Sequence, residues 1–93
     1  MSEIGVLSVH FHLDGCRSLK ERRGRMRGLR ERLGRNPRLA LCEMPCDDPQ
    51  HSSWTIVAVG DRRGALADLL GQVEQELEER VDAVVVDLQR ELL

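Results

Sequence analysis

Basic side chains are concentrated in one stretch of the chain, residues 17–38. This stretch holds ten basic and two acidic residues, which gives it a formal charge of +8. Guanidinium and ammonium groups spread along a helix bind the phosphates of a nucleic-acid strand, and each contact releases counterions. We therefore expect this segment to bind RNA backbone. The side chains predicted to contact phosphate are Lys20, Arg22, Arg23, Arg27 and Arg30.

The formal net charge of −2 conceals this basic segment, because the rest of the chain carries four basic and fourteen acidic residues. Many of the acids fall in a second predicted helix, between Asp68 and Glu79. Two other interpretations follow from that separation of charge. In the first, acidic residues of the second helix pair with the arginines, in surface ion pairs worth about 0–1 kcal/mol each. In the second, an acidic protein or a partner subunit contacts the arginines.

The three histidines and three cysteines are residue types that bind zinc. His10 and His12 are two apart in a predicted strand, so their side chains point to the same side. The spacings between these residues are neither those of a zinc finger nor the Cys-x-x-Cys of redox proteins. We expect no metal site and no cofactor. The residues considered are His10, His12, Cys16, Cys42, Cys46 and His51.

Catalytic motifs are absent from the sequence. It contains no Gly-x-Ser-x-Gly, no His-Glu-x-x-His and no glycine-rich phosphate loop. A turn at 60–64 with two arginines could hold an anion at a helix N-terminus, but an ordinary strand-to-helix connection explains it equally well. We therefore expect no catalytic residues and a protein that is not an enzyme.

Hydrophobic periodicity predicts the elements that position these side chains. A strand over 4–13 alternates strictly, with Leu7, Val9 and Phe11 on its buried side. A helix begins at Ser18, where Ser-x-x-Glu forms a capping-box pattern with Glu21. Further strands are predicted at 38–44, 54–59 and 83–92, a helix at 62–80 and a polar loop at 45–53.

The order βαββαβ predicts an α+β, ferredoxin-like split βαβ sandwich. In that fold a four-stranded antiparallel sheet carries two helices on one face. The 93 residues are expected to form a single domain, 1–93. The other face of the sheet, with Ser8, His10 and His12, is then open to a second subunit or to RNA.

Aromatic residues are too few to make that open face a base-stacking platform, since the chain has one Phe and one Trp. Phe11 lies on the same side of its strand as Leu7 and Val9, which is the side predicted to be buried. Trp54 begins a predicted strand, where it is either exposed or covers a sheet edge. We therefore expect RNA contacts through the phosphate backbone, with weak sequence preference.

Three features of the sequence bear on where the protein is located in the cell. The longest apolar run, 83–86, is far shorter than the ~20 residues of a membrane-spanning helix. The N-terminal segment lacks the basic start, long apolar middle and cleavage site of a signal peptide. An odd number of cysteines in a small chain favours a reducing compartment. We expect a cytoplasmic protein with no membrane partner.

Two segments resemble a known family. A strand from Gly5 to His12 is followed, after a turn, by Ser-Leu-Lys-Glu-Arg-Arg at 18–23. Together they resemble the YlxP-like family of small bacterial proteins, family 503 of the domains of unknown function. The resemblance extends to Glu43, to Asp-Arg-Arg at 61–63 and to Val-Val-Asp at 85–87. It implies a ferredoxin-like fold and a suspected role with RNA or the ribosome.

The chain departs from that family in three places. The loop after Glu43 contains two prolines and a cysteine where the family has a shorter acidic and glutamine-rich segment. Arg90 stands where the family has an apolar residue, so the last strand is expected to leave the core early. His10 replaces a residue that is usually acidic.

These observations predict a small, non-enzymatic, ribosome-associated or RNA-backbone-binding protein that uses its arginine-rich first helix. The alternative is a homodimeric protein–protein interaction module. In that case the open sheet face or an edge strand joins the subunits and the basic helix contacts an acidic partner. The two hypotheses are compatible, because a dimer doubles the basic surface.

Overall fold

The computed structural model describes residues 2–79 and 81–93. Its six elements follow the predicted order and confirm the ferredoxin-like α+β fold. The strands form one antiparallel sheet in the order β2-β3-β1-β4. The elements are β1 (Glu3–His12), α1 (Leu19–Gly34), β2 (Leu39–Glu43), β3 (His51–Gly60), α2 (Arg63–Glu79) and β4 (Val84–Leu92).

The central strands β1 and β3 are paired along their full lengths, from Glu3 opposite Gly60 to His12 opposite His51. The alternation of β1 buries Leu7, Val9 and Phe11 toward the helices, as its pattern predicts. The other side of β1 carries the polar residues Ser8, His10 and His12, which are exposed or half-buried.

The core lies between the sheet and the two helices. From α1 it receives Met26, Leu29 and Leu33. From α2 it receives a stripe of five buried residues at helical spacing. These are Leu66, Leu69, Leu70, Val73 and Leu77.

The sequence-based boundary of β3 is wrong, because the strand begins at His51 rather than at Trp54. Residues 51–53 were predicted to be part of a loop because they are polar. Ser52 is nevertheless only 1% exposed and lies opposite Phe11 of β1. The polar loop is therefore restricted to 44–50, and β3 carries the alternation three residues further than hydrophobicity predicts.

The expectation that Arg90 makes the last strand leave the core early is also wrong. Strand β4 continues to Leu92, whose side chain packs against the core. The guanidinium of Arg90 forms an ion pair with Glu74 of α2. A charged residue is tolerated at this position because a carboxylate on the neighbouring helix pairs with it.

Candidate nucleic-acid interface

Helix α1 begins with the predicted cap. The hydroxyl of Ser18 accepts a hydrogen bond from the backbone N–H of Glu21 at 3.0 Å. In return, the carboxylate of Glu21 accepts from the backbone N–H of Arg17 at 3.2 Å. This bond reaches one residue before the cap, whereas a capping box bonds the cap itself. The two bonds fix where α1 starts and hence which way its basic side chains face.

Four of the five predicted phosphate-binding residues share one face of α1. They occur at positions i, i+3, i+7 and i+10, which places them on one side of a helix with 3.6 residues per turn. All four residues are exposed, and the first and last are separated by about 15 Å of helix axis. We call this set the basic stripe: Lys20, Arg23, Arg27 and Arg30.

Ion pairing leaves most of the basic stripe available to a ligand. Arg30 pairs with Glu43 of β2 at 3.1 Å, and its side chain remains 53% exposed. Lys20, Arg23 and Arg27 form no ion pair with any residue in 2–79 or 81–93. Three cationic groups therefore line one helix face without a carboxylate bound to them.

The fifth predicted residue, Arg22, lies apart from the basic stripe. It is buried, with 7% of its surface exposed. Its Nη1 donates to the carbonyl oxygens of Cys46 at 3.0 Å, Asp48 at 2.9 Å and His51 at 2.9 Å. Its Nη2 lies 3.8 Å from Glu43. In this arrangement Arg22 fastens the loop 44–50 to α1.

A signal for the position of Arg22 was present in the sequence. Residues 22, 26, 29 and 33 are spaced by four, three and four, so Arg22 continues the apolar stripe of Met26, Leu29 and Leu33. Arg22 was predicted to bind phosphate because of its charge alone. A cation in the phase of the core predicts a buried partner, because an unpaired buried charge is very costly.

The interpretation that the second helix pairs with the arginines of α1 holds for Arg32, whereas Arg25 pairs with a residue in the turn before β4. Arg32 lies 3.9 Å from Glu76 of α2, and Arg25 lies 3.2 Å from Asp82. Arg25 also donates to the carbonyl oxygen of Asp14 at 2.8 Å. These arginines face α2 and the adjoining turns, on the opposite side of α1 from the basic stripe.

A cavity of about 200 Å³ adjoins the basic stripe, between α1 and the strands β2 and β3. Two of its lining residues, Met26 and Trp54, are buried, with 4% and 1% of their surfaces exposed. The indole Nε1 of Trp54 is buried and has no hydrogen-bond partner among the described residues. The structure therefore places Trp54 in the core beneath α1, in edge contact with Phe11. The other lining residues are Arg23, Arg27, Arg30, Glu31 and Glu43.

Glu43 connects this cavity to the rest of the interface. Its carboxylate is bound to Arg30 and Arg22 from α1, and it accepts a hydrogen bond from the hydroxyl of Ser52 at 3.4 Å. The two arginines hold the carboxylate in place and compensate its charge. The cavity is lined by three arginines and two glutamates, so the formal charge of its lining is +1.

The open face of the sheet brings three histidines together. His51 lies between His10 and His12, with ring centroids 5.4 Å and 5.3 Å apart. Sequence reasoning considered His51 together with His10 and His12 but left it in a loop, so it did not predict that His51 lies opposite His12 in the sheet. Within residues 2–79 and 81–93, no group of three or more His, Cys, Asp or Glu side chains is arranged to hold a metal ion.

The cysteines do not join the histidine cluster. All three are free thiols: Cys42 is exposed, Cys46 is half-buried, and Cys16 is buried at the turn before α1. Burial raises the pKa of the Cys16 thiol, and a hydrogen bond to Glu21 raises it further. A thiol held in its protonated form is a poor nucleophile and a poor metal ligand.

Comparison with known families places the chain in one of them. Residues 4–90 match the family described as "Protein of unknown function (DUF503)". The chain belongs to this family. The match covers nearly all of the chain, and it confirms the resemblance drawn from the Ser-Leu-Lys-Glu-Arg-Arg segment at the level of a family of unknown function.

Comparison with solved structures supports the fold and gives no information on function. The structure of the "De novo designed protein Foldit4" is similar, with a TM-score of 0.58 and 6% sequence identity. The similarity covers 100% of this chain and 97% of that one. No curated protein matches the chain. Among the described residues, no helix has the length and hydropathy of a membrane span.

Proposed function

We propose that this protein is a non-enzymatic, cytoplasmic protein that binds RNA through its phosphate backbone, free or on a ribosomal particle. The observation that carries the proposal is the basic stripe, in which four cations share one face of α1 over about 15 Å. Three of them have no ion-pair partner among the described residues. Cations arranged in this way attract a chain of phosphates more strongly than a single anion.

The expected binding has a clear electrostatic signature. Three or four phosphate contacts to a single strand give a slope of log K against log salt of about −2 to −3. Sequence preference should be weak, because phosphate contacts position a protein without reading bases. Of the five predicted phosphate ligands, the proposal assigns this role to Lys20, Arg23, Arg27 and Arg30, and it assigns to Arg22 the positioning of the loop beside them.

The test is a fluorescence-anisotropy titration of a labelled RNA hairpin at low salt, with Arg23→Glu/Arg27→Glu as the variant. We expect the double charge reversal to abolish measurable binding. The matched control is Arg62→Glu/Arg63→Glu, which makes the same change of charge at two exposed positions where α2 begins. Equal losses in both variants would reduce the effect to net charge, and wild-type binding by Arg23→Glu/Arg27→Glu would overturn the proposal.

Association with ribosomal particles is tested separately. Purified ribosomal subunits are sedimented with the protein through a sucrose gradient at low and at high salt. We expect co-sedimentation at low salt that is lost with Arg23→Glu/Arg27→Glu and kept with Arg62→Glu/Arg63→Glu. Hairpin binding without co-sedimentation would support an RNA-binding protein that acts away from the ribosome.

A second candidate function, the homodimeric module, is favoured by the edge strand β4. This strand lies at the end of the sheet, so one side of its backbone has no neighbouring strand among the residues that the structure describes. It displays Val84 and Val86, which are 60% and 55% exposed. Exposed edges of this kind pair with another chain unless they are protected. Light scattering at micromolar concentration tests this candidate, and a mass of 10.6 kDa would exclude a stable dimer.

A further inference from the structure

We infer that the cavity beneath the basic stripe binds one unpaired nucleotide, with its phosphate on Arg23 and Arg27 and its base in the cavity. This inference rests on the proposed function, because it names what the RNA presents to this site. It adds a specific subsite to an interface that is otherwise electrostatic. Three features of the site support it: the size of the cavity, an unpartnered donor within its lining and the distribution of charge around it.

Size limits the class of ligand. The cavity of about 200 Å³ is much larger than the roughly 10–15 Å³ that is enough to hold one water molecule. It is smaller than the roughly 300–1,000 Å³ of sites that enclose drug-sized molecules or cofactors. A single planar ring system fits these limits, whereas a dinucleotide cofactor does not.

The buried part of the lining supplies apolar surface and one hydrogen-bond donor. Met26 and Trp54 offer apolar contacts, and the indole Nε1–H of Trp54 is a buried donor without a described partner. A buried donor left unpaired costs about 1–3 kcal/mol. Bases carry ring nitrogens and carbonyl oxygens that accept from such a donor. Trp54 is only 1% exposed, so binding through its Nε1–H requires the flexible side chains of Met26 and the rim arginines to change rotamer.

The positive charges at the rim of the cavity favour a ligand whose remaining part is an anion. Arg30 is bound to Glu43 at 3.1 Å, whereas Arg23 and Arg27 have no described carboxylate partner. A phosphate attached to a base in the cavity therefore meets two guanidinium groups, which bind phosphate with charge-assisted hydrogen bonds. A neutral apolar ligand would leave these two cations unused. A nucleotide places its base in the cavity and its phosphate beside Arg23 and Arg27, on a rim that also carries the carboxylate of Glu31.

Base pairing decides which nucleotides are competent. A paired base has its Watson–Crick edge occupied and is stacked between neighbours, so it cannot enter a cavity. A nucleotide in a loop or at a single-stranded end is free to do so. We therefore expect preference for single-stranded over fully paired RNA, added to the salt-dependent binding that both share.

Trp54 provides a local probe, because it is the one tryptophan in the chain. The first experiment follows its fluorescence while the wild-type protein is titrated with nucleoside monophosphates, a single-stranded oligonucleotide and an RNA duplex of equal length. We expect the single strand to change the emission and the duplex to leave it unchanged. A response to monophosphates as well would show that the same subsite accepts the free nucleotide.

The second experiment measures affinity by anisotropy for Trp54→Phe, which keeps an apolar ring and removes the N–H donor. We expect single-strand binding to weaken about three- to tenfold, the effect of one lost hydrogen bond, and duplex binding to be unchanged. The matched control is Leu77→Met, a substitution of similar volume in the part of the core that α2 supplies, away from the lining of the cavity, and it should alter neither affinity.

The outcomes separate this inference from the proposed function. If RNA binds in the salt-dependent way but Trp54 emission and Trp54→Phe affinity do not change, the subsite is refuted and the backbone interface stands. If neither RNA nor monophosphates bind, both proposals fail. If monophosphates change the emission while RNA does not bind, the cavity is a nucleotide site and the RNA proposal fails.

Discussion

The guanidinium of Arg22 donates a hydrogen bond to the carbonyl oxygen of His51, 29 residues later in the chain, at 2.9 Å. Through this bond and those to Cys46 and Asp48, α1 holds the loop that leads into β3. The same side chain approaches Glu43, which in turn binds Arg30 of the basic stripe. Arg22 thus holds Glu43 and the loop 44–50 in place beside the basic stripe.

Arg22→Met is expected to destabilise the fold by about 2–4 kcal/mol. Methionine fills the space but leaves several carbonyl oxygens without donors, and each buried unpaired group costs about 1–3 kcal/mol. Arg22→Lys should be intermediate, because an ammonium group keeps the charge but lacks the planar arrangement of donors. Urea unfolding followed by Trp54 fluorescence measures both effects.

The control for this prediction is Arg23→Met, one residue further along the same helix. Arg23 is exposed and forms no ion pair with a described residue, so its stability change should stay within about 0.5 kcal/mol. Equal destabilisation by the two substitutions would contradict the role assigned to Arg22. For RNA binding the order should reverse, with the larger loss at Arg23.

The sequence predicted the fold because local patterns and tertiary contacts agree for most elements. Strand β1 alternates strictly and α1 begins with a capping signal, so boundaries there differ from the structure by one residue. Prediction failed at Ser52, whose burial comes from pairing with β1 and from Glu43, contacts that hydrophobicity does not encode. In the sequence alone, a polar residue that is buried by long-range partners cannot be distinguished from a loop residue.

The site was predicted less completely than the fold, also for physical reasons. Charge and spacing identified the basic stripe, because exposed residues on one helix obey a local geometry. Two features depend on distant residues: the bonds of Arg22 to a loop more than 20 residues away, and the cavity that joins α1 to Trp54. Such contacts follow from the packing of α1 on the sheet, which no local pattern specifies in detail.

Glu43→Gln should strengthen RNA binding while it weakens the fold. The substitution removes a negative charge from the cavity and releases Arg30, so the basic stripe gains one unpaired cation. It also replaces a charged acceptor of Arg22 with a neutral one, which should cost about 1 kcal/mol of stability. Titration at two salt concentrations checks the first effect, and urea unfolding checks the second.

The gain in affinity should shrink at high salt, where the screening length falls to about 3 Å near 1 M. Asp68→Gln serves as the control, because this exposed carboxylate on α2 lies outside the cavity and the basic stripe. Weaker RNA binding by Glu43→Gln than by the wild type would show that Glu43 contacts the RNA favourably rather than limiting its attraction.

Gly24→Ala and Gly28→Ala are each expected to stabilise the protein by about 0.5–1 kcal/mol. Both glycines lie within α1, and a Cβ added at either position meets no atom within 4 Å. Alanine therefore gains helix propensity without a steric penalty. Close packing within the chain therefore does not require glycine at either position.

Gly5→Ala provides the contrast. A Cβ at that position would lie 2.9 Å from Leu70 Cδ1 in the core, so the same substitution should be destabilising. Thermal unfolding of the three variants tests the order of stability. RNA titration of Gly24→Ala and Gly28→Ala adds a second result: a loss of affinity without loss of stability would indicate that the phosphate backbone approaches the helix at these glycines.

Alkylation should separate the three cysteines by their surroundings. Thiolate is the reactive form, so the raised pKa of Cys16 lowers its reactive fraction at neutral and mildly alkaline pH, and burial limits access of the reagent. Cys42 is exposed and should react first with iodoacetamide, followed by the half-buried Cys46. Peptide mass spectrometry of timed samples gives the order. Labelling of Cys16 should appear only in denaturant. Modification of Cys16 in the folded protein at a rate near that of Cys42 would show that the turn before α1 opens.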